Sequence, residues 1–346
     1  MRYTIIDTIK LELYRSDCYG LKYSWNTKRI LKSLDKYSTV NSGNNEIYYK
    51  GSYHNFRVYL TENKLQLEGS LSKYQLGSNL KTLTFEDAIE AVEDMSYDFG
   101  LPLERAYIRR VDIGRNLIVR KQVRQYLSSF EETAGYYRDT TKNRVLYKST
   151  NQLGSIQLYD KVEEIKKNDR ELYEYHKEGV LKNKNILRIE AQLTQKVSKQ
   201  LGYKSLRVVH LRSKCFSKKL NDVVLEKYKK LLTKRKFAFN PDTCTYTQVK
   251  NQLITFSLLE LKTYYILEML EELRKEGKMT STQKMYSKTK LIDILKSDGC
   301  LVELDHIVEL NKQMEFLHQQ LPSVEYENIE KMIINRKPRT RLKLIS

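Results

Sequence analysis

A tyrosine and a lysine in one strand-like segment have the residue types and spacing that best suit phosphate chemistry. Residues 156–161 read Ile-Gln-Leu-Tyr-Asp-Lys, so alternation along a strand predicts Tyr159 and Lys161 on the same sheet face. A tyrosine hydroxyl has an ordinary pKa of about 10 and therefore needs help to become a nucleophilic phenolate. Lys161 is the candidate to stabilise that phenolate or the phosphate oxygens. Asp160 alternates onto the opposite face, where a structural role is expected.

Carboxylates follow the same alternating pattern in three other strand-like segments. Glu68, Asp112 and Glu190 each lie among polar neighbours two residues away, so each should project from a polar sheet face. Carboxylate oxygens suit Mg²⁺ or Mn²⁺, which would neutralise and polarise a phosphodiester. In the plainer interpretation, Tyr159 is an ordinary strand tyrosine and Glu190 only pairs with Arg188. Apolar residues of these segments should form the opposite, buried face: Leu65, Leu67, Val111, Ile113, Leu187, Ile189 and Ala191.

Net charge indicates the partner. The 346 residues include 62 Lys and Arg against 43 Asp and Glu, a formal net charge of +19, which favours a polyanion such as nucleic acid. No long apolar run and no charge-free N-terminal segment is present, so we expect neither membrane association nor a signal peptide, and we expect a cytoplasmic protein. The four cysteines are far apart and are expected to be reduced thiols.

The pattern of apolar residues predicts an α+β fold in two parts. Residues 1–200 mix strands with helices and should form the catalytic domain, whereas residues 201–346 should form an all-helical domain for DNA binding or oligomerisation that ends in a basic tail at 336–343. Residues 46–60 have a strand period, and residues 161–179 have the pattern of one charged helix. Thr84 and Gly100 are predicted to begin and end another helix.

Four sequence patches, at residues 68–79, 110–116, 159–161 and 187–190, together resemble those of rolling-circle replication initiators of the filamentous-phage gene II/X type and related plasmid initiators. The resemblance implies an antiparallel-sheet nickase domain of the HUH-endonuclease superfamily. It also implies metal-dependent, site- and strand-specific DNA nicking and joining through a 5′-phosphotyrosine, which leaves a free 3′ hydroxyl. The expected partners are single-stranded or supercoiled origin DNA, a host helicase and a polymerase, with a homodimer as one oligomeric option.

The resemblance also suggests residue roles. Tyr159, followed by an acid and Lys161, matches the family's catalytic tyrosine. The chain departs from the wider superfamily because its five histidines are isolated and no His-hydrophobic-His motif is present. The metal, Mg²⁺ or Mn²⁺, is therefore assigned to Asp112, Glu190 and Glu68, with His54 as a reserve ligand and with no organic cofactor. The residues assigned to DNA contact are Lys73, Asn79, Arg110, Arg115, Arg188 and Gln192.

Two other functions remain open at this point. A metal-independent tyrosine recombinase or topoisomerase would need an array of Arg with His or Lys around the phosphate, and the sequence has no such array ahead of a C-terminal tyrosine. A non-catalytic DNA-binding regulator could use a helix-turn-helix at residues 287–317. Sensitivity to EDTA separates the initiator from the recombinase, and a covalent adduct separates both from the regulator.

Overall fold

The computed structural model describes residues 6–19, 25–41, 47–80, 83–237, 245–260, 263–297 and 301–319. The chain divides into two compact units, one of residues 1–232 and 310–346 and the other of residues 233–309. The sequence predicts a domain boundary at residue 200. A separate C-terminal domain that begins there stays a prediction. The basic tail lies outside the described residues.

A ten-stranded antiparallel sheet dominates the first unit, as the α+β prediction required. Its strand order is β2-β3-β4-β5-β1-β6-β10-β9-β8-β7. The strands are β1 (Ile6–Tyr14), β2 (Lys36–Asn41), β3 (Ile47–Tyr53), β4 (Phe56–Leu60), β5 (Lys64–Ser70), β6 (Tyr107–Val119), β7 (Tyr136–Thr141), β8 (Arg144–Ser149), β9 (Gly154–Asp160) and β10 (Asn185–Leu193). The segments predicted to carry the chemistry occupy β5, β6, β9 and β10, four strands in or next to the centre of the sheet.

Helices follow and flank the strands. They are α1 (Thr27–Lys32), α2 (Leu71–Leu76), α3 (Phe85–Phe99), α4 (Val123–Leu127), α5 (Lys161–Asn168), α6 (Arg170–His176), α7 (Val197–Gln200), α8 (Lys214–Lys229), α9 (Tyr246–Glu260), α10 (Thr263–Lys275), α11 (Ser281–Ser297) and α12 (Asp305–Gln319). The predicted limits of α3 are confirmed, because Thr84 is its N-cap and Gly100, with φ of 64°, is its C-cap. No helix among the described residues is long and apolar enough to cross a membrane.

One face of the sheet is the core. The seven apolar residues predicted for it are each at most 1% exposed. Helix α3 lies against this face, where the ring of Phe99 is 4.8 Å from that of Tyr53, and α8 contacts β10 there. Because side chains alternate along each strand, burial of this face leaves the polar side chains of the same strands together on the other.

Three predicted elements are corrected. Residues 47–60 of the segment predicted at 46–60 form a hairpin of two strands, β3 and β4, because His54 adopts a left-handed turn conformation with φ of 50°. Residues 161–179 form two helices, since Asp169 leaves helical geometry and caps α6 by accepting a bond from the Leu172 N–H. The C-terminal region is helical but also contains a two-stranded sheet of β11 (Arg235–Phe237) and β12 (Leu301–Glu303), so "all-helical" was wrong.

The α3 cap provides a test of local stability. The Thr84 side chain accepts a hydrogen bond of 3.0 Å from the Asp87 N–H, and the Asp87 carboxylate accepts one of 2.9 Å from the Thr84 N–H. We expect Thr84→Ala to lower the free energy of unfolding by about 1 kcal/mol, because a helix donor loses its acceptor. Urea unfolding measures this loss. Thr84→Ser is the matched control and should retain most of the stability; equal losses in both variants would contradict the cap's role.

Candidate functional site

The strand register places the predicted polar residues in three adjoining rows. Strands β6, β10 and β9 are neighbours, and their paired positions on the polar face bring together residues from all three strands. The rows are Asp112, Gln192 and Ser155; Gly114, Glu190 and Gln157; and Asn116, Arg188 and Tyr159. The sequence had suggested convergence of separate strands, and this register supplies it for Asp112, Glu190 and Tyr159.

Arg188 is the centre of this cluster. Its guanidinium is almost completely buried and donates hydrogen bonds to Asp7 at 2.5 Å and to Glu190 at 3.3 Å. It also reaches the side-chain oxygen of Asn116 at 3.0 Å and the backbone oxygen of Asn79 at 3.4 Å. A buried guanidinium is tolerated only when its donors and its charge are satisfied, and here two carboxylates and two carbonyl oxygens satisfy them.

Asp7 is a site residue that sequence reasoning missed. Its carboxylate accepts bonds from Arg188, from the Ser70 hydroxyl at 2.6 Å and from the Asn79 amide at 3.1 Å. Burial opposes its ionisation, but the charge of Arg188, the hydrogen bonds from Ser70 and Asn79 and the charge of Lys161 together outweigh burial, and the pKa of Asp7 is lowered. The register of β1 against β6 shifts between Ile6 and Ile9, and this bulge turns Asp7 onto the polar face. A bulge breaks regular alternation, so the period of the sequence did not reveal the residue's direction.

Gly114 makes room for this guanidinium. A Cβ built at Gly114 would collide with the guanidinium of Arg188. Gly114 pairs with Glu190 across the strands, so the missing side chain opens the path along which Arg188 reaches Asp7. The glycine is required here by close approach rather than by backbone conformation.

Tyr159 lies in the same buried cluster. Its side chain is 9% exposed, and its hydroxyl donates to Oε2 of Glu190 at 3.2 Å. Burial raises the pKa of the Tyr159 hydroxyl, Arg188 opposes the rise, and the negative charge of Glu190 adds to it. The hydroxyl is therefore held as a neutral donor with a carboxylate ready to take its proton, and a cation is needed to stabilise the phenolate.

Lys161 reaches the cluster by a route that strand alternation did not predict. Strand β9 ends at Asp160, which caps α5 by accepting bonds from the Val162 and Glu163 N–H groups, and Lys161 is the first helical residue. Its ammonium donates to Asn79 at 2.8 Å and to Glu164 at 2.6 Å. The same ammonium lies 5.9 Å from the centre of the Tyr159 ring. Burial, with the nearby Arg188 cation, lowers the pKa of Lys161.

A second chain of polar contacts extends from Asp112. Both oxygens of its buried carboxylate accept bonds from Arg110, at 2.8 and 2.6 Å. Arg110 also donates to Glu68 at 2.8 Å, so this cation lies between the two carboxylates. Burial raises the pKa of Asp112 to about 6, against the lowering effect of Arg110, and repulsion from Glu190 contributes to the rise.

Two of the three predicted metal ligands, Asp112 and Glu190, have carboxylate oxygens that suit a divalent cation. The amide of Gln192 bridges Asp112 at 3.4 Å and Glu190 at 3.2 Å, which holds two carboxylates around one point. Among the described residues, no three His, Cys, Asp or Glu side chains are grouped closely enough to hold a metal ion. Glu68 is set apart from Asp112 by Arg110. His54 lies in the β3–β4 turn, with its ring 4.6 Å from that of Tyr53.

The six residues assigned to DNA contact lie in different settings. Arg188 and Asn79 are inside the hydrogen-bonded cluster, and Arg110 and Gln192 bond to Asp112. Lys73 is exposed on α2. Arg115 points to the opposite sheet face and contacts Asn221 of α8, where burial lowers its pKa to about 10. Contact of any of these residues with DNA stays a prediction.

Comparison with known proteins identifies the family. No curated protein gives a significant match to the chain. Residues 6–218, well over half of the chain, match the model for the N-terminal region of a phage replication-associated protein of the gene II type. The matched range contains all ten strands of the large sheet and every residue of the cluster around Arg188. The chain therefore belongs to this family of phage replication-associated proteins, the gene II-type replication initiators.

Proposed function

We propose that this initiator is a site- and strand-specific DNA nickase of the HUH type, with Tyr159 as its nucleophile. The observation that carries the proposal is the hydrogen bond of 3.2 Å from the Tyr159 hydroxyl to Glu190, inside a cluster that also contains two cations. An ordinary strand tyrosine does not need a carboxylate acceptor beside two buried cations. Membership of a replication-initiator family supports DNA as the substrate.

In the proposed reaction, the oxygen of Tyr159 attacks a phosphodiester of the origin strand. The new bond joins this oxygen to phosphorus, and the bond between phosphorus and the 3′ oxygen breaks. Glu190 takes the tyrosine proton, and the 3′ oxygen leaves with the electron pair and acquires a proton to become a hydroxyl. The 5′ end stays on the protein as a phosphotyrosine, so attack by a 3′ hydroxyl reverses the step and joins a strand. No nucleotide cofactor is required.

Arg188 and Lys161 have different parts in this proposal. Arg188 is fixed by its bonds to Asp7 and Asn116 and donates to Glu190, so it positions the proton acceptor. Lys161 has a lowered pKa and lies beside the tyrosine ring, where its charge favours the phenolate and the phosphate oxygens. The 3′ hydroxyl would prime a polymerase; the host helicase, the homodimer and residence in the cytoplasm are further parts of the same proposal.

Asp112 and Glu190 are the groups that would hold Mg²⁺ or Mn²⁺, and the Gln192 NH2 group, which donates to both carboxylates, would have to give way to the cation. Such a cation, when bound, neutralises a phosphodiester and polarises it for in-line attack. Arg110 already pairs with both oxygens of Asp112, so the cation would have to share or replace that guanidinium. Glu68 accepts from Arg110 and offers the guanidinium a second partner when Asp112 binds the metal.

Replacing the nucleophile tests the reaction. Tyr159→Phe removes only the hydroxyl, so we expect no covalent protein–DNA adduct while DNA binding stays within about threefold of the wild-type affinity. The measurement is an SDS-stable band after incubation with supercoiled or single-stranded origin DNA and Mn²⁺.

Tyr97→Phe is the matched control, because Tyr97 is exposed on α3, and it should form the adduct normally. An undiminished adduct in Tyr159→Phe would exclude this tyrosine as the nucleophile. DNA binding without an adduct from the wild-type protein would instead favour the non-catalytic regulator.

Metal dependence has its own test. EDTA should abolish adduct formation, and Asp112→Asn and Glu190→Gln should each lower its rate by at least about a hundredfold at a fixed Mn²⁺ concentration, because each loses a charged oxygen ligand. A Mn²⁺ titration of adduct formation measures the change. Glu90→Gln, at an exposed position on α3, is the control and should leave the titration unchanged. A rate unaffected by EDTA would favour the metal-independent alternative.

The raised pKa of Asp112 predicts how metal use depends on pH. Its pKa is about 6 rather than the ordinary 3.8, so protons compete with the cation as the pH falls below about 6. We expect the Mn²⁺ concentration for half-maximal adduct formation to rise about tenfold per pH unit below that value. A titration series at several pH values measures it. A half-maximal concentration that stays constant down to pH about 4 would contradict the role of Asp112.

A further inference from the structure

A large polar surface lies beside the proposed nickase site and has no assigned role. From β6 the sheet continues through β1, β5, β4, β3 and β2, and the register carries the polar face across all of them. One row of paired positions contains Lys10, Glu68, Arg57, Ser52 and Lys36, and a second contains Glu12, Gln66, Tyr59, Lys50 and Ser38. We call the polar face of β1 to β5 the sheet platform.

The charge of the sheet platform is positive. Five cations, Lys10, Lys36, Lys50, Arg57 and Lys64, share it with two carboxylates, Glu12 and Glu68. Glu12 pairs with Arg109 of β6 at 2.5 Å and with Lys64 at 3.4 Å. Glu68 pairs with Arg110 of β6 at 2.8 Å, and Lys10 and Arg57 lie at the outer limit of an ion pair with it, at 3.9 and 4.0 Å. With the two arginines included, cations still outnumber the two carboxylates. Hydrogen bonds from Gln66 and Arg109 lower the pKa of Glu12 to about 2 in spite of burial, which keeps that pair charged. The surplus positive charge therefore suits phosphates.

Aromatic rings lie among these cations. The rings of Tyr48 and Tyr59 are 5.0 Å apart at diagonal positions of β3 and β4, and the Lys50 ammonium is 5.4 Å from the centre of the Tyr48 ring. Both tyrosines are partly exposed, and the Arg57 side chain beside them is 85% exposed. An ordinary solvated sheet face needs charge but no paired rings, whereas unpaired nucleotides offer a flat base to a ring and a phosphate to a cation.

We propose that the sheet platform binds a single-stranded stretch of DNA that leads to or from Tyr159. Bases stack on Tyr59 and Tyr48, and phosphates contact Lys50, Arg57 and Lys10. Five inter-strand steps separate β9, which carries Tyr159, from β4, which carries Tyr59, a distance of about 24 Å. The inference rests on the proposed function for its direction toward Tyr159, but the binding itself requires neither metal nor cleavage.

The test measures binding in a protein that cannot cleave. With Tyr159→Phe as the background and EDTA in the buffer, fluorescence anisotropy follows a labelled oligothymidine of about 20 nucleotides. We expect Tyr59→Ala to weaken its affinity about tenfold, because one base loses its stacking partner. We expect Lys50→Ala and Arg57→Ala each to reduce the slope of log affinity against log salt by about 0.7, because one phosphate contact is lost.

Matched controls separate the sheet platform from a general effect of charge or exposure. Tyr97→Ala removes an exposed ring on α3, and Lys32→Ala removes an exposed cation on α1, so neither should change the affinity or the salt slope. Tyr59→Leu keeps apolar bulk without the aromatic face and should weaken binding as Tyr59→Ala does. This second variant distinguishes stacking from loss of packing.

Two results would overturn the inference: platform and control variants with equal affinity, or wild-type binding of duplex as tightly as of oligothymidine. Failure of the proposed function has a different signature. If the nickase reaction is absent but the platform variants still lose oligothymidine binding, then DNA binding by the sheet platform is supported and the chemistry assigned to Tyr159 is contradicted.

Discussion

The buried charge of Arg188 is the constraint on which the candidate site depends. The charge of this buried guanidinium must be balanced, and Asp7 of β1 and Glu190 of the same strand as Arg188 form ion pairs with it. Removing one partner of such a buried pair costs about 3–5 kcal/mol, because an uncompensated charge remains. Several otherwise unrelated features help to satisfy this cation, among them the bulge in β1, the glycine at 114 and the backbone oxygen of Asn79.

The same balance of charges explains how Tyr159 can be the nucleophile of the proposed reaction and yet stay protonated without a substrate. Glu190 accepts hydrogen bonds from both Arg188 and the tyrosine hydroxyl, so the acceptor is held 3.2 Å from that hydroxyl. Burial favours the protonated tyrosine, and in the proposed reaction a substrate phosphate and its counter-charge would change that balance. Asn79 links Lys161, Asp7 and Arg188, so any movement that admits DNA must exchange these internal bonds for bonds to phosphate.

The sequence predicted most of this architecture where alternation is regular. The apolar face of the strands and the placement of Asp112, Glu190 and Tyr159 on the polar face follow from a period of two, and the structure confirms them. The antiparallel sheet, which the family resemblance implied, is present as well. Asp7 was missed because a bulge breaks that period. Strand alternation predicted Lys161 near Tyr159, but the structure brings it there by another route. Asp160 ends the strand by capping helix α5, and Lys161 reaches the tyrosine from the first turn of that helix. The hairpin of β3 and β4 was missed because a left-handed His54 gives no strong turn signal.

Two chemically distinct regions lie on the polar face of the sheet. Around β9, β10 and β6, cations and carboxylates are buried and mutually paired, which suits a reaction that creates and removes charge at fixed points. Across β1 to β5, the cations are more exposed and outnumber the carboxylates, which suits a long polyanion held by many weak contacts. Arg110 lies where the two surfaces meet and bonds to Asp112 on one side and Glu68 on the other. A metal cation that displaced Arg110 from Asp112 would leave the Arg110 guanidinium bonded to Glu68, at the edge of the sheet platform. The positive charge of the sheet platform would then increase, so metal binding and DNA binding would support each other through this one side chain.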